Sequence, residues 1–116
     1  MEVVLIGGPE EKEISADVLR RSGVPVRDWT GELSLAELVS FLNHERVKTL
    51  VSSDSGPVHI AWMLGKPVVA LYAENCPGSN PLRWGPLDKK SEVIFKPIDA
   101  IGAEEVWEAV KKVLRR

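Results

Sequence analysis

Short apolar runs alternate along the chain with segments that repeat at the period of a helix. The run from Val3 to Ile6 is closed by the residues GGP, and the following EEKEISADVLRR places Ile14, Val18 and Leu19 on one helical face. Apolar runs bounded by glycine or proline predict strands, and apolar residues three or four apart predict helices. The chain therefore begins with a predicted strand and helix, and Val24 to Asp28 predicts a second strand.

The second predicted helix has a clear start signal. Ser34 and Glu37 have the spacing of a capping box, in which each side chain accepts a hydrogen bond from the backbone N–H of the other residue. Leu33 and Leu38 have the spacing of a hydrophobic staple. The pattern predicts a helix that begins near Leu35.

The second half of the chain continues the alternation. The residues KTLVSS predict a third strand that runs into DSGP, where Pro57 suits the first position of a helix because its missing N–H would have no intrahelical partner. This helix is predicted to end near Gly65, and Pro67 begins the run PVVALY, a predicted buried fourth strand. EVIFK predicts a fifth strand. The final helix, AEEVWEAVKKVLRR, is predicted to turn five apolar residues inward: Val106, Trp107, Val110, Val113 and Leu114.

One segment lacks any period. The residues from Ala73 to Ser91 are rich in proline, glycine and asparagine. A structureless loop of this length inside a compact domain is uncommon and is typical of functional loops. We interpret the segment from Ala73 to Ser91 as a functional loop.

The order β-α-β-α-β-α-β-loop-β-α predicts the fold class. Strands that alternate with helices indicate an α/β fold with a doubly wound, mostly parallel sheet and helices on both of its faces. We expect a single Rossmann-like domain over residues 1–116.

Composition and charge exclude several classes of function. The net charge of −2 and the lack of a basic stripe argue against nucleic acid as a partner. The single cysteine, Cys76, and two separated histidines offer no spacing for a metal site, and they suit a reducing cytoplasm. The apolar run near the start is too short for a membrane span, so no integral membrane segment is predicted. We expect neither a metal nor a cofactor.

The turn from Asp54 to His59 has the chemistry of a ligand site. In open parallel sheets, ligands bind beyond the carboxyl ends of strands, where helix N-termini present free N–H groups. Gly56 allows close approach of the backbone, and the N–H groups of Ser55 and Gly56 suit a phosphate. Asp54 would repel a phosphate but accepts hydrogen bonds from sugar hydroxyls. His59, about one turn into the helix, suits a hydrogen-bond donor. Together they suggest a nucleotide sugar.

Structural interpretations of the same residues stay open. Asp54 and Ser55 also fit a simple cap for the third helix, and His59 also fits a partly buried histidine. The acids of the first loop, Glu10, Glu11 and Glu13, fit either a solvated helix start or a carboxylate that holds a ribose hydroxyl. Arg83 and the adjacent Trp84 could bind a diphosphate, or Trp84 could pack the loop against the core.

Four segments in order carry a resemblance to a known family. VVLIGGPEE, DWTGELSLAEL, SSDSGPVHIAWMLGKPVVALY and RWGPL resemble the C-terminal, donor-binding domain of glycosyltransferase family nine, the bacterial heptosyltransferases of lipopolysaccharide assembly. The resemblance covers nearly the whole chain. It implies one half of a GT-B enzyme, in which two Rossmann-like domains face each other across a cleft. It implies no metal.

The resemblance also implies roles for residues. Asp54 would hold sugar hydroxyls, Ser55 and Gly56 would offer N–H groups to the diphosphate, and His59 would support that end of the site. One acid among Glu10, Glu11 and Glu13 would hold the ribose, and the backbone of Leu33 and Ser34 would meet the base. Where the family commonly has Gly-Pro-Thr-Asp-Pro after the fourth strand, this chain has AENCPGSNP, a departure that affects donor contacts in the same loop as Arg83.

These features lead to one expected function and two alternatives. We expect the chain to bind a nucleotide sugar similar to ADP-heptose, as the donor half of an enzyme that transfers heptose or a related sugar to a lipid-linked saccharide. The N-terminal acceptor domain of the family is absent, so the chain is not expected to be active alone. The complete enzyme would be cytoplasmic and peripheral at the inner membrane. The alternatives are a non-catalytic interaction module that keeps the fold, and a half-enzyme completed by a separate N-terminal partner or by a homo-oligomer.

Overall fold

The computed structural model describes residues 2–53, 56–73 and 90–115, and the fold is given for these residues. Strands and helices follow the predicted alternation. They are β1 (Val4–Leu5), a 3-10 turn (Pro9–Glu11), α1 (Lys12–Ser22), β2 (Arg27–Asp28), α2 (Leu35–Asn43), β3 (Leu50–Ser53), α3 (Gly56–Met63), β4 (Val68–Ala73), β5 (Glu92–Lys96), a second 3-10 turn (Ile98–Ala100) and α4 (Ala103–Leu114). The chain forms two compact units, Met1–Leu38 and Val39–Arg116.

The first unit contains a short pair of parallel strands. Val4 lies opposite Arg27 and Leu5 lies opposite Asp28. Both strands are shorter than the apolar runs predicted, and the flanking Val3 and Val24 are exposed, although the Val3 carbonyl oxygen still accepts from the Arg27 N–H. The carboxyl ends of the two strands nevertheless meet at one edge, where the loops that follow them begin.

The face that α1 buries differs from the predicted one. Ser15 is the buried residue of α1, and Leu19, one turn later on the same side, is half-buried. Ile14 and Val18, predicted to share one helical face with Leu19, are exposed, so that face is buried only in part. A polar side chain occupies the buried position because it has a hydrogen-bonding partner inside the unit, Thr30.

The second unit is built on a three-stranded parallel sheet. Its order is β3-β4-β5, with Leu50 opposite Val68 and Val69 opposite Glu92. In β4, successive side chains point to opposite faces, and Val68, Val69, Ala70 and Tyr72 are all fully buried. The central strand is therefore covered on both faces. With five parallel strands in the described residues and helices between them, the predicted α/β class is confirmed.

The main apolar core of this unit lies between the sheet and α4. Val69 of β4 and Ile94 of β5 pack with three buried residues of α4, namely Ala109, Val110 and Val113, and Leu71, Ile101 and Val106 extend the cluster. Trp107 and Leu114 were predicted to point inward, but they are 45% and 41% exposed. At 100° per residue, both lie at the margin of the stripe formed by the buried positions. The Lys111 ammonium lies 5.8 Å from the centre of the Trp107 ring.

The turn after α3 confirms the predicted end of that helix near Gly65. Gly65 has a φ of +78°, its N–H donates to the Trp62 carbonyl oxygen, and the Lys66 N–H donates to that of Ala61. These two bonds form a Schellman motif, which favours glycine because a side chain is strained at this φ. β4 begins directly after the turn and Pro67.

Candidate functional site

The predicted anion site at the start of α3 is described in part. Asp54 and Ser55, and Arg83 in the later loop, lie outside the described residues. Gly56 begins α3, three residues after the last residue of β3, a parallel strand, and the first N–H groups of a helix have no partner within it. Pro57 is the second residue of the helix rather than the first.

The described residues leave space beside Gly56. Apart from its chain neighbours and the backbone of its own helix, no heavy atom of the described residues lies within 4 Å of the position that a Cβ atom would occupy at Gly56. The residue is not among the glycines with positive φ, which are Gly23, Gly31 and Gly65. Its backbone conformation therefore does not require glycine, and the described neighbours do not fill the space. Unfilled space beside unpaired N–H groups is what close approach of an anion requires.

His59 lies in the first turn of α3. It is half-buried, and the preceding Val58 is buried in the unit. No acidic residue lies in the first turn of this helix within the described residues. The placement agrees with the predicted position of His59, about one turn into the helix.

The acids of the first loop divide into two groups. The Glu11 carboxylate folds back over Gly7, since a Cβ atom at Gly7 would lie 2.8 Å from Glu11 Oε2, and the Glu10 carboxylate lies against Gly8 in the same way. Both acids therefore sit on the loop at the carboxyl end of β1. Glu13 belongs to the first turn of α1 and is exposed. The geometry favours Glu10 and Glu11 over Glu13 as acceptors for ligand hydroxyls near this loop.

The loop after β2 is tied to the first loop. The Gly31 N–H donates to the Gly7 carbonyl oxygen at 2.7 Å. Gly31 has a φ of +74°, and a Cβ atom there would lie 3.0 Å from Pro9 Cα. Only glycine fits this position without strain, because both the φ and the close backbone contact oppose a side chain. The two loops at this edge of the β1–β2 pair therefore form one connected structure.

Asp28 and Thr30 shape the start of this second loop. The Thr30 N–H donates to Asp28 Oδ1 at 3.0 Å, which forms an Asx turn. Hydrogen bonds with the Thr30 side chain and backbone, together with the positive charge of Lys12, hold the pKa of the Asp28 carboxyl below its ordinary value. Asp28 is therefore ionised near neutral pH. An ionised carboxylate here accepts hydrogen bonds and does not donate them.

The capping box predicted at the start of α2 is present. The Ser34 N–H donates to Glu37 Oε1 at 2.9 Å, and the Glu37 N–H donates to Ser34 Oγ at 3.1 Å. The Ser34 carbonyl oxygen accepts from the Leu38 N–H. Because the Ser34 N–H is already used, a donor to a ligand base in this segment would have to come from another residue, such as the half-buried Leu33.

Some residues of this edge were not predicted as candidates. Asp28, Thr30, Gly31 and Ser15 organise the loops, although none was singled out from the sequence. The one local signal is an aspartate two residues before a threonine and three before a glycine, which is typical of an Asx turn followed by a left-handed residue.

In the described part of the chain, no group of three His, Cys, Asp or Glu side chains is placed to hold a metal. The helices within those same residues include none that is long and apolar enough to cross a membrane.

Comparisons with known proteins agree with the resemblance seen in the sequence. The family described as glycosyltransferase family 9 (heptosyltransferase) matches residues 1–109. Lipopolysaccharide heptosyltransferase 2 of Escherichia coli (strain K12) is 32% identical over 97 residues, which cover 80% of this chain and 26% of the relative. Lipopolysaccharide core heptosyltransferase OpsX of Haemophilus influenzae is 38% identical over 64 residues, which cover 55% of this chain and 17% of the relative. The chain thus spans about a quarter of the length of the E. coli relative.

Two solved structures share the fold over almost the whole chain. The glycosyl transferase family 9 protein from Veillonella parvula superposes with a TM-score of 0.86 at 27% identity, covering 98% of this chain and 37% of that one. The E. coli ADP-heptose lps heptosyltransferase II superposes with a TM-score of 0.77 at 26% identity, covering 98% and 36%. The matched family covers both the loops after β1 and β2 and the turn into α3. The chain is a member of glycosyltransferase family 9.

Proposed function

We propose that this chain is the donor-binding part of a heptosyltransferase-like enzyme and binds a nucleotide sugar similar to ADP-heptose. The observation that carries the proposal is the superposition of 98% of the chain on part of a solved ADP-heptose lps heptosyltransferase II. The complete protein would transfer heptose or a related sugar to a lipid-linked saccharide of the lipopolysaccharide core. Because the chain spans only about a quarter of the E. coli relative, this transfer is proposed for the complete protein.

In this proposal, the start of α3 receives the diphosphate. The space that the described residues leave beside Gly56, and its place at a helix N-terminus where the first N–H groups have no partner within the helix, support this assignment. During transfer, negative charge accumulates on the departing nucleoside diphosphate, and fixed N–H dipoles that point at it lower the barrier. Ser55 would add its N–H and hydroxyl, Asp54 would accept hydrogen bonds from the sugar hydroxyls, and His59 would support this end of the site.

The nucleoside end is assigned to the loops after β1 and β2. The Glu10 and Glu11 carboxylates lie over the first loop and can accept hydrogen bonds from the two ribose hydroxyls. The backbone around Leu33 would meet the base. Arg83 is proposed as a further diphosphate contact because its guanidinium can bind phosphate oxygens in a bidentate manner.

A titration with nucleotides tests the proposal. The chain would be titrated with ADP, UDP, GDP and ADP-heptose while backbone amide shifts are followed by NMR. We expect saturable shifts for the adenosine ligands at two places, Gly56 to His59 and Glu10 to Glu13. No shift with any nucleotide at millimolar concentration would overturn the proposal and favour a non-catalytic interaction module.

A matched pair of glycine variants sharpens the test. Gly56→Ala fills the open space at the start of α3, and Gly102→Ala makes the same change at the start of α4. Neither glycine has a positive φ, and at both positions an added Cβ atom would have no described heavy atom within 4 Å other than those of its chain neighbours and local helix backbone. Because the added methyl group blocks close approach to the backbone, we expect Gly56→Ala to weaken nucleotide binding about tenfold, a change of about 1.4 kcal/mol. Gly102→Ala should bind as the unsubstituted chain does, and equal binding by both variants would contradict the assignment of Gly56.

A further inference from the structure

Ser15 and Thr30 form a buried pair of hydroxyl groups in the first unit. Their oxygen atoms lie 2.6 Å apart, and the side chains are 8% and 3% exposed. Among the residues that the structure describes, these are the two buried polar residues. A buried hydroxyl that loses its partner is costly, so this pair fixes the distance and direction between the elements that carry it.

The pair joins α1 to the loop after β2. Ser15 lies in the first turns of α1, which follows directly on the 3-10 turn that carries Glu10 and Glu11. Thr30 immediately precedes Gly31, whose N–H donates to the Gly7 carbonyl oxygen. The hydroxyl pair and this backbone bond therefore hold the same two loops together, one through the helix and the other directly.

Contacts other than the Ser15 hydrogen bond also fix the position of Thr30. Its N–H donates to Asp28 Oδ1, and at the next residue, Gly31, an added Cβ atom would lie 3.0 Å from Pro9 Cα. An apolar residue at position 30 could fill the same volume, but it would not supply a directional bond to Ser15. The hydroxyl is thus the part of Thr30 that fixes how the loop sits on α1.

We propose that Thr30, acting with Ser15, is a positioning residue for the nucleoside end of the donor. The pair sets the separation between the Glu10 and Glu11 carboxylates on one loop and the segment from Gly31 to Ser34 on the other. This inference rests on the proposed function, because it assigns the gap between these loops to the nucleoside. Loss of the pair lets the loops shift, which weakens recognition of the nucleoside and leaves the diphosphate site at Gly56 and His59 intact.

The test uses variants that remove the pair with and without leaving a hydroxyl unpaired. Ser15→Ala with Thr30→Val replaces both partners by apolar groups of similar size, and it also removes the hydrogen bond between the Thr30 side chain and the Asp28 carboxylate, so a moderate loss of stability is expected. Thr30→Val alone leaves the Ser15 hydroxyl unpaired, and Thr30→Ser restores the bond. Ser40→Ala, at an exposed position of α2, is the matched control. For each variant, dissociation constants would be measured for ADP, GDP and inorganic pyrophosphate.

The expected result separates nucleoside recognition from diphosphate binding. The double variant should bind ADP about two- to tenfold more weakly and lose part of its preference for ADP over GDP, while pyrophosphate binding is unchanged. Thr30→Ser and Ser40→Ala should bind as the unsubstituted chain does. A general loss of stability alone would not change the ratio of the ADP and GDP constants, so this ratio distinguishes positioning from folding.

Two negative results have different meanings. If the unsubstituted chain binds no nucleotide, the proposed function fails. If the unsubstituted chain binds ADP and the double variant has the same constants and the same ADP to GDP ratio, the proposed function stands and the positioning role is overturned. If the double variant does not fold, the same comparison is made with Ser15→Ala alone, in which the Thr30 hydroxyl keeps its hydrogen bond to Asp28.

Discussion

The ammonium group of Lys66 lies 2.7 Å from the carbonyl oxygen of His44, and it also donates to the carbonyl oxygen of Val47 at 2.8 Å. Both carbonyls belong to the turn that follows α2, and the His44 carbonyl oxygen also accepts from the Val47 N–H. Lys66 itself lies at the C-terminal end of the Schellman motif after α3. One side chain therefore ties the end of α2 to the turn that leads into β4.

We expect Lys66→Met to lower the free energy of unfolding by about 1.5–3 kcal/mol, the usual range for hydrogen bonds to a charged group. Methionine retains the long apolar stem but donates no hydrogen bond. The measurement is urea unfolding followed by circular dichroism. Lys48→Met is the control, since Lys48 makes one exposed bond to the Glu45 carbonyl oxygen at 3.2 Å. If both variants lose the same free energy of unfolding, the two Lys66 hydrogen bonds contribute no more to stability than the single exposed Lys48 bond.

Ser34→Ala removes the side-chain half of the capping box. The Glu37 N–H then loses its acceptor, so we expect the free energy of unfolding to fall by about 1 kcal/mol. Ser40→Ala, within the same helix but without this role, should change it by less than about 0.5 kcal/mol. The free energies of unfolding of both variants would be measured by thermal or urea unfolding. If the two variants lose the same free energy, the proposed stabilising effect of the cap is contradicted.

The stability of the chain should depend on pH through Glu37. Hydrogen bonds from the Ser34 backbone and side chain hold the pKa of Glu37 below its ordinary value of 4.5. Because the folded pKa is the lower one, the unfolded chain binds this proton more readily. The contribution of Glu37 is therefore fully present above pH 4.5 and is lost as the pH falls through the lowered folded value.

Glu37→Gln provides the measurement for this pH dependence. Glutamine still accepts the Ser34 N–H bond of the capping box but does not titrate. Urea unfolding between about pH 3 and 7 should therefore show a shallower fall toward acid for this variant than for the unsubstituted chain. Identical slopes would mean that Glu37 keeps its ordinary pKa in the folded chain.

Two glycines with positive φ separate backbone strain from close contact. Gly31 and Gly23 have φ angles of +74° and +66°, but only at Gly31 would a Cβ atom approach a backbone atom, Pro9 Cα at 3.0 Å. Alanine at either position costs about 1–2 kcal/mol for the left-handed conformation. We expect Gly31→Ala to cost more than Gly23→Ala in urea unfolding, since the loop must also move away from Pro9. A larger loss at Gly23 would contradict the close contact.

Asp54 yields a prediction about ligand discrimination. If Asp54 accepts hydrogen bonds from the sugar, Asp54→Ala should weaken binding of ADP-heptose much more than binding of ADP. Two calorimetric titrations of the variant and two of the unsubstituted chain give the comparison. Equal weakening for both ligands would exclude the sugar contact.

Local signals predicted the structure well where the residues that form a feature are neighbours in the chain. The capping box at Ser34 and Glu37, the turn at Gly65 and the fifth strand over Glu92–Lys96 all follow from a few adjacent residues. Their geometry depends on backbone hydrogen bonds within one turn or on a short apolar run. Such features can be predicted without knowing which elements pack together.

Features that depend on packing were predicted less well. The apolar stripe of α4 includes Trp107 by spacing, yet the sheet meets this helix on the side of Ala109 and Val113, which leaves Trp107 partly exposed. Ser15 is buried because Thr30, 15 residues later, supplies its partner. No periodicity in the sequence contains that information. For the candidate site, the sequence indicated Gly56, His59 and the first-loop acids, whereas the ties that hold the loops became visible only in the fold.

The burial of β4 on both faces has a consequence for how the second unit opens. The strand bonds to β3 on one side and to β5 on the other, and Val68, Ala70 and Tyr72 have no exposed surface. Its amide hydrogens cannot reach solvent through the fraying of a single neighbour, because either remaining strand and both covering layers still shield it. Hydrogen exchange in β4 therefore requires cooperative unfolding of the unit, and the slowest amides of this strand report its global stability.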